Sequence, residues 1–379
     1  MSVPRWFASA FWHLDWMQKF KSIALLLGWL LALAPSVLLS LLLMPIIPDL
    51  QKADTLELSY RLYQWEYGFL AIGFGLMLFV GVRTWKQSRW LFRTFLVLAA
   101  ASSIALIVFA RMEMSAESMF NEPTVVQRST LRVADVLDAD TSVYLWVRHG
   151  NVVAGYGLDL IAHHHKVLDT VGGQSILVTY CTMCHTGRVY VPIVGGAVER
   201  FRLVGASYFN AVFEDVTTGS WWYQATGECV IGPRKGMELP SVPFLQGTVA
   251  EMNDQWHPEI VSIFTPDAAT GTRSEWARGY AARAGDTSLA LTPRSLVIGV
   301  ECNGKSKAYP VMSLMQSASN PVTDTVGGWV VQIPKPRHPR ELVVVYRDSI
   351  SSGSTVASVV DYWHAWRTFH PNTAVWKQQ

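Results

Sequence analysis

The sequence predicts an N-terminal membrane domain of about three transmembrane helices, followed by a mainly β soluble domain built from two similar halves. Three observations lead to this prediction: long apolar runs near the N-terminus, short strand-like runs after about residue 130, and an internal repeat among those runs. We therefore divide the 379 residues into an N-terminal segment, a membrane domain, a linker and a β-rich domain, with the bounds 1–22, 23–110, 111–129 and 130–379.

Three apolar runs are long enough to cross a bilayer. Ile23–Ile47 contains 25 residues without a charge, and a helix needs about 20 apolar residues to span the hydrocarbon core. Trp65–Val82 contains one charged residue, Glu66, and Trp90–Ala110 also contains one, Arg93. Tryptophans at the ends of such runs are typical of the membrane–water interface. The lipid bilayer is therefore a predicted partner.

Basic residues favour a cytoplasmic N-terminus. They cluster in the N-terminal segment and between the second and third runs: Arg5, Lys19, Lys21, Arg83, Lys86, Arg89 and Arg93. Because such loops stay in the cytoplasm, three spans would place the β-rich domain on the periplasmic side of the inner membrane, whereas two would leave it in the cytoplasm. Ala32–Ala34 resembles a signal-peptide cleavage site, but Pro35 follows directly, which favours a retained helix.

The β-rich domain contains an internal repeat at about 143–195 and 296–346. Each copy shows two strand-like runs joined by an Asn/Gly turn, which is typical of a hairpin. Each hairpin is followed by the same five residues, Asp-Thr-Val-Gly-Gly, at Asp169–Gly173 and Asp324–Gly328. This identity, together with the matched hairpin upstream, indicates a duplicated unit.

The two copies differ at residues that carry chemistry. Only the first copy contains the triple histidine His163–His165 and the motif Cys181-Thr-Met-Cys184-His185. These residues are therefore interpreted as functional residues that were added to one copy of a shared scaffold. We predict a site for metal binding or for thiol and electron transfer, and its candidate residues are Cys181, Cys184, His164, His165 and His185.

Several chemistries fit the pattern Cys-x-x-Cys-His. Two thiolates and a histidine are ligands that suit copper or zinc. The thiols could instead transfer electrons, or form a structural disulfide outside the cytoplasm. The pattern also matches haem c attachment, with Cys181 and Cys184 as thioethers and His185 as the axial ligand. The spacing assigns no role to Cys229 or Cys302.

Several motifs of the β-rich domain together resemble one known family. They are His164 or His165 with Asp169–Gly173, Tyr180–Cys184, Thr218–Gln224, Gly232–Leu239 and Phe369–Thr373. Over about Leu131 to Trp376 the chain resembles the bacterial and archaeal domain-of-unknown-function family numbered 3179. The resemblance implies no activity, because the family has no established function. The family usually has Gly or Arg where this chain has His185, which weakens the haem interpretation.

A second candidate site is the aromatic segment Trp221, Trp222, Tyr223 and Gln224, which could line a pocket with Gln224 as its polar anchor. The alternative is a turn with core aromatics. The net charge of +2 gives no sign of a nucleic-acid binder. Motifs of nucleotide binding and serine hydrolysis are not found, so both activities are disfavoured. Whether the protein is an enzyme stays open, and a larger membrane complex is a hypothetical partner.

Overall fold

The computed structural model divides the chain into two compact units, Met1–Met119 and Phe120–Gln379. The residues that it describes are 5–44, 47, 49–52, 54–86, 90–113, 115, 116, 120, 122, 123, 125–137, 139–265 and 291–378. Arg89, one of the predicted loop charges, lies outside the described residues.

The first unit contains the three predicted apolar helices, α1 (Arg5–Leu43), α2 (Leu56–Thr84) and α3 (Trp90–Glu113), with a short 3-10 turn at Leu50–Lys52. Each helix contains a span that is long and apolar enough to cross a membrane: Ser22–Leu43, Leu56–Thr84 and Trp90–Met112. Pro35 lies inside α1 and does not end it. Prolines are tolerated in such helices where neighbouring groups satisfy the freed backbone.

Helix α2 begins earlier than the apolar run predicts, at Leu56 rather than Trp65. Glu66 therefore lies inside the helix and is buried. Its carboxylate accepts hydrogen bonds from the Ser36 hydroxyl at 2.6 Å and from the Arg111 guanidinium at 2.6 Å. These contacts join all three helices at one polar point, because Ser36 belongs to α1 and Arg111 to α3.

Small residues allow α1 and α2 to approach closely. A Cβ atom added at Gly73 would lie 2.6 Å from both the Ala32 nitrogen and the Gly28 carbonyl oxygen. A Cβ atom added at Gly28 would lie 2.9 Å from the Gly73 carbonyl oxygen. Helices in lipid associate mainly through such close backbone packing.

The second unit is mainly β, as predicted. Its helices, among the described residues, are α4 (Val133–Val136), α5 (Leu158–His164), α6 (Val249–Trp256), α7 (Val311–Gln316) and α8 (Trp363–Phe369), with a 3-10 turn at Ile350–Ser352. Its strands are β1 (Gln127–Arg132), β2 (Tyr144–His149), β3 (Val152–Gly157), β4 (Lys166–Val171), β5 (Gln174–Cys181), β6 (Thr186–Tyr190), β7 (Ile193–Val194), β8 (Ala197–Val198), β9 (Phe201–Ser207), β10 (Asn210–Asp215), β11 (Trp221–Tyr223), β12 (Cys229–Ile231), β13 (Phe244–Gly247), β14 (Ile260–Thr265), β15 (Leu296–Cys302), β16 (Lys305–Pro310), β17 (Val322–Val326), β18 (Trp329–Ile333), β19 (Val345–Arg347), β20 (Thr355–Val356), β21 (Ser358–Tyr362) and β22 (Ala374–Val375).

The strands form several small sheets around separate apolar cores. The sheet with the order β4-β5-β6 carries the cysteine motif, and β12-β11-β10-β9 forms a second sheet. The first repeat copy also contributes its first hairpin, β2 and β3, to a five-stranded sheet with the order β1-β14-β3-β2-β13. The second copy contributes to the sheets β21-β15-β16-β22 and β17-β18-β19-β20.

The two repeat copies share one unit: a hairpin, a short helix and a second hairpin. In each copy the tyrosine that ends the first hairpin donates to the aspartate of the second, over 2.6 Å from Tyr156 to Asp169 and 2.9 Å from Tyr309 to Asp324. A Cβ atom added at the first glycine of the repeat would clash with a carbonyl of the first hairpin in both copies. The motif therefore locks two hairpins together.

This shared unit is smaller than the predicted half of the domain. The sheet β12-β11-β10-β9 lies between the two copies in sequence, and the described residues of the second copy form no counterpart to it. Two similar halves are therefore not evident, although the duplicated hairpin unit is present.

We expect Gly73→Ala to weaken the packing of α1 on α2. The added methyl group would meet two backbone atoms that cannot rotate away, and overpacking of this kind costs about 1–3 kcal/mol. Unfolding of the purified full chain by increasing SDS in mixed micelles measures the loss. Gly75→Ala is the matched control, because an added Cβ there has no atom within 4 Å. Equal midpoints for the two variants would contradict the close approach.

Candidate thiol site

The cysteine motif forms a tight connection between two strands, β5 and β6. Cys181 is the last residue of β5 and pairs with Thr186, the first residue of β6. Cys184 lies in the connecting turn, which ends with His185 in the left-handed conformation, at a φ of 55°. The hairpin thus places both thiols at the same end of the three-stranded sheet.

The alternation of side chains along β5 separates the core from the site. Val178 and Tyr180 belong to the apolar core of the first repeat copy. Thr179 and Cys181 point to the opposite face, because successive side chains of a strand alternate. On that face they meet the neighbouring sheet, where Thr179 contacts Gln224.

The turn between β9 and β10 covers the two thiols. Cys181 is 2% exposed and Cys184 is fully buried. Both thiols donate to the Phe209 carbonyl oxygen, over 3.5 Å from Cys181 and 3.0 Å from Cys184. Tyr208 and Phe209 both adopt left-handed backbone angles, with φ of 51° and 63°. This pair of angles is typical of a two-residue hairpin turn, although such turns usually contain Asn or Gly.

The two thiols differ in acidity. The adjacent Cys184 side chain lowers the pKa of Cys181, although burial opposes this effect. Burial raises the pKa of Cys184 well above its usual value, and the neighbouring Cys181 raises it further. A thiol pair with one acidic and one protonated member is suited to nucleophilic chemistry at the acidic sulfur.

Asn210 and Gln224 form a buried amide network beside Cys184. The Asn210 side-chain nitrogen lies 3.7 Å from the Cys184 sulfur and donates to the Gln224 side-chain oxygen at 2.9 Å. The Gln224 side-chain nitrogen donates to the Thr186 carbonyl at 3.0 Å. Gln224 therefore supports the thiol site, whereas the sequence suggests an anchor in a separate pocket.

The other aromatic residues of the predicted pocket belong to the core or its edge. Trp221 is fully buried and Trp222 is 1% exposed. Their indole nitrogens donate to Glu214 at 3.0 Å and to Asp215 at 2.9 Å. Tyr223 is half-buried and its ring contacts Phe369. The segment thus corresponds to the alternative that the sequence leaves open, core aromatics beside a turn.

The motifs at Thr218–Gln224 and Gly232–Leu239 stabilise the same neighbouring sheet. Asp215 accepts hydrogen bonds from the Thr218 backbone and hydroxyl groups. Arg234 pairs with Asp215 and also donates to Glu199 at 2.5 Å. The buried carboxylates of this sheet are thereby compensated, as buried charges must be.

A buried carboxylate from the C-terminal part of the domain holds the cysteine hairpin. Asp361, on β21, is 2% exposed. It accepts from the Thr186 hydroxyl at 2.7 Å and from the Arg188 guanidinium at 3.2 and 3.3 Å. Arg188 also donates to the Ala225 carbonyl at 2.9 Å. Asp361 thus connects β6 to the sheet β21-β15-β16-β22, which contains the first hairpin of the second repeat copy. Arg188 connects β6 to the segment that follows β11 in the neighbouring sheet.

The residues after Asp361 bind the turn itself. The Tyr362 backbone nitrogen donates to the Cys184 carbonyl at 2.8 Å. The His364 side chain hydrogen-bonds to the Met183 carbonyl at 3.0 Å, and its ring lies 5.4 Å from the Phe209 ring. These contacts leave Thr182 and Met183 as the partly exposed edge of the site.

The triple histidine reaches the site through its backbone rather than its imidazoles. The His165 carbonyl accepts from the Tyr180 backbone nitrogen at 3.0 Å. The His165 ring packs on Phe120 at 3.8 Å, and the His164 ring lies 6.0 Å from Phe264. Burial lowers the pKa of His165 to about 3. The prediction that His164 and His165 are ligands therefore gains no geometric support.

His185 also points away from a shared ligand set. Its Nδ1 atom lies 2.7 Å from the Tyr180 hydroxyl, and its ring lies 5.2 Å from the Tyr362 ring. Burial lowers the pKa of His185 to about 3, so the imidazole is neutral. Among the described residues its Nε2 atom has no hydrogen-bond partner.

The residues at the motif do not fit a haem. A porphyrin attached to both thiols would have to displace the Phe209–Asn210 segment, which contacts them directly. For a metal ion, the described part of the chain contains no group of three or more His, Cys, Asp or Glu residues that could hold one. All four cysteines are free thiols and are buried, including Cys229 and Cys302 outside the site.

The sequence does not reveal three residues that shape the site: Phe209, Asn210 and Asp361. They come from distant segments and belong to no motif with a known chemical role. The closest signal is Phe369–Thr373, just after Asp361. There the Trp366 indole donates to the Thr373 hydroxyl at 2.8 Å, which stabilises the segment that carries Asp361.

We expect Asp361→Asn to lower the free energy of unfolding by about 3–5 kcal/mol, because it leaves the buried Arg188 charge without its partner. Urea unfolding of the purified full chain, followed by tryptophan fluorescence, measures the loss. Asp348→Asn is the control, since its carboxylate is 65% exposed. Adding Arg188→Met to Asp361→Asn should restore part of the stability. A double variant as unstable as the single one would contradict this role of the ion pair.

The comparisons with known proteins agree with the motif-based resemblance over part of the domain. No curated protein and no solved structure matches the chain. The motifs after residue 278, including Phe369–Thr373, lie outside the family match. Residues 120–278, which contain the thiol pair and its covering turn, match the model of the family described as "Protein of unknown function (DUF3179)".

Proposed function

We propose that Cys181 and Cys184 form a redox-active pair that exchanges electrons with the thiols or disulfides of a partner. The observation that carries this proposal is the arrangement of the two thiols. Both contact one carbonyl oxygen, both are shielded from water, and only Cys181 has a lowered pKa.

The reaction balances as a dithiol–disulfide exchange. The Cys181 thiolate attacks one sulfur of a partner disulfide, which forms a mixed disulfide and releases one partner thiolate. Cys184 then loses its proton and attacks the Cys181 sulfur. The Cys181–Cys184 bond forms, the mixed disulfide breaks, and the second partner thiolate leaves with that proton. The pair is oxidised by two electrons, and the partner disulfide is reduced to two thiols.

Burial means that a partner reaches the pair only when the covering turn moves. Phe209 and His364 are half-buried and flank the partly exposed residues Thr182 and Met183. The turn contacts the thiols through weak sulfur hydrogen bonds and through the Asn210 amide. A restricted entrance of this kind favours a specific partner over free exchange with small thiols.

The membrane helices support a location for this exchange at a bilayer. We infer that they anchor the chain with its N-terminus in the cytoplasm and its β-rich domain outside, where disulfide exchange is common. The partner would then be a second membrane or extracytoplasmic protein that carries a reducible disulfide. Copper or zinc binding has weaker support, because the described residues bring no group of three or more His, Cys, Asp or Glu side chains together.

We expect reduced protein to form a Cys181–Cys184 disulfide when treated with 5,5′-dithiobis(2-nitrobenzoate). Two thionitrobenzoate ions should be released for each disulfide, and peptide mass spectrometry identifies the bond. Cys181→Ser and Cys184→Ser should each abolish it. Cys302→Ser is the control and should retain it, because Cys302 lies in the core of the second repeat copy. Failure to form this disulfide in the unaltered protein would refute the proposed function.

The alkylation of the thiols should depend on pH in a specific order. Only the thiolate reacts with iodoacetamide, so a lowered pKa moves the reaction of Cys181 to lower pH, whereas Cys184 should need higher pH. Cys229 is an internal reference, because burial raises its pKa to about 11. Site-resolved mass spectrometry measures each rate relative to its own plateau. The proposal requires Cys181 to react at lower pH than Cys229.

Loosening the covering turn should speed alkylation of both site thiols. Phe209→Gly removes the ring that contacts His364 and relieves the left-handed backbone at that position. Tyr208→Gly relieves a similar backbone angle and leaves Phe209 in place, so it controls for backbone freedom. We expect at least a fivefold higher rate for Phe209→Gly, on the order of 1 kcal/mol in opening free energy. Equal rates in both variants would show that Phe209 does not restrict access.

A further inference from the structure

We propose that Asn210 is a catalytic residue of the exchange reaction, whose side-chain amide stabilises the thiolate that Cys184 forms when it closes the disulfide. Gln224 is the positioning residue that aims this amide. The inference rests on the proposed function, since it concerns the second step of that exchange. Asn210 belongs to no motif that the sequence singles out, and Gln224 is predicted there only as the anchor of a pocket.

The orientation of the Asn210 amide is fixed by its partners. Its side-chain oxygen accepts from the Ala225 backbone nitrogen at 2.9 Å. The reversed orientation would place two donors against each other, so the nitrogen must face Gln224 and Cys184. Asn210 is fully buried, so these contacts are shielded from bulk solvent. Its two N–H groups thus serve the Gln224 oxygen and the Cys184 sulfur.

The orientation of Gln224 is fixed in the same way. Its side-chain nitrogen donates to the Thr186 carbonyl, which can only accept, and to the Thr179 hydroxyl, both at 3.0 Å. Its oxygen must therefore face Asn210. Asn210 thus donates to the Cys184 sulfur and to Gln224, and Gln224 in turn donates to the cysteine hairpin.

The surroundings of Cys184 explain why such a donor is needed. Burial, Cys181 on β5 and Asp361 on β21 all oppose a negative charge on Cys184. The Phe209 carbonyl accepts from the thiol, so it would repel the thiolate at 3.0 Å. Arg188 on β6 is paired with Asp361, which largely cancels its charge. The Asn210 N–H is therefore the principal compensation next to the sulfur.

The remaining histidine and tyrosine side chains near the turn stay neutral around pH 7, and they lie within electrostatic reach of Arg294 and Arg340. Burial lowers the pKa of His185 to about 3 and also lowers that of His364. Burial raises the pKa of Tyr180 well above its usual value and that of Tyr362 to about 12. A change in the pH profile of the second step would therefore report on Cys184 and its direct donor.

The test separates the two steps of the exchange. The reduced full chain reacts with 5,5′-dithiobis(2-nitrobenzoate), and a stopped-flow instrument records two phases of thionitrobenzoate release. The first phase reports attack by Cys181 and the second reports attack by Cys184. In Asn210→Ala the second phase should slow by about ten- to a hundredfold at pH 7, the range of a hydrogen bond to a charged group. The first phase should change little.

The pH dependence distinguishes loss of the donor from a loosened structure. In Asn210→Ala the second phase should recover as the pH rises, because Cys184 then ionises without help. Asn210→Asp keeps the volume and the contact with Ala225 but places a carboxylate beside the sulfur, so it should be slower still. The second-phase rate of Asn210→Asp also tests the proposal if Asn210→Ala fails to fold. Gln224→Ala should slow the second phase less than Asn210→Ala does.

Gln246→Ala is the matched control, because Gln246 is also a buried amide, 2% exposed, but donates to the Arg340 carbonyl. Both phases should keep their rates in this variant. If the unaltered protein releases no second thionitrobenzoate, the exchange function itself is wrong. If it does, and Asn210→Ala and Asn210→Asp keep the second-phase rate and pH profile of Gln246→Ala, the role of Asn210 is wrong and the exchange function stands.

Discussion

The buried carboxylate of Asp361 is the constraint on which the thiol site depends. A charge with 2% exposure persists only when it is paired and hydrogen-bonded, and Asp361 meets both conditions through Arg188 and Thr186. Both partners belong to β6, the strand that follows the cysteine turn. Because the buried charges must stay paired, the ion pair fixes the position of the C-terminal segment against the hairpin. The backbone hydrogen bond from Tyr362 to Cys184 follows from that position.

The turn between β9 and β10 treats the two protonation states of Cys184 in opposite ways. The Phe209 carbonyl favours the thiol, whereas the next residue, Asn210, offers an N–H that favours the thiolate. Two adjacent residues thereby stabilise the two protonation states of the reduced sulfur, the thiol and the thiolate. Neither contact persists unchanged in a disulfide, which has no S–H to donate and no charge. In the proposed exchange, oxidation of the pair would therefore change the contacts between the thiols and the turn that covers them.

Most of the fold could be predicted because its signals are local. Apolar runs indicate the three helices, and the repeated Asp-Thr-Val-Gly-Gly segment indicates the paired hairpins, since a left-handed glycine and a buried Tyr–Asp contact are needed twice. The thiol site could be predicted only in part. Asn210 and Asp361 approach Cys184 from segments far away in sequence, so no periodicity or spacing reveals them. The triple histidine was a weak guide to the site for a related reason. A buried imidazole can be a neutral packing group as readily as a ligand, and the sequence pattern is the same in both cases.

The duplication explains why only the first copy carries this chemistry. In both copies the hairpin unit is locked by the same internal contacts, so the scaffold itself does not distinguish them. The difference arises where non-repeated elements close over the first copy: the β9–β10 turn supplies Phe209 and Asn210 to the end of β5. The corresponding strand of the second copy, β18, ends at Ile333 and pairs with β19 as β5 pairs with β6, but among the described residues that copy has no counterpart to the sheet that carries the β9–β10 turn. A thiol pair placed there would lack the carbonyl and the amide that set its acidity. The site is therefore a property of the contact between the repeat and the inserted sheet, and the Cys-x-x-Cys spacing alone is not sufficient to produce it.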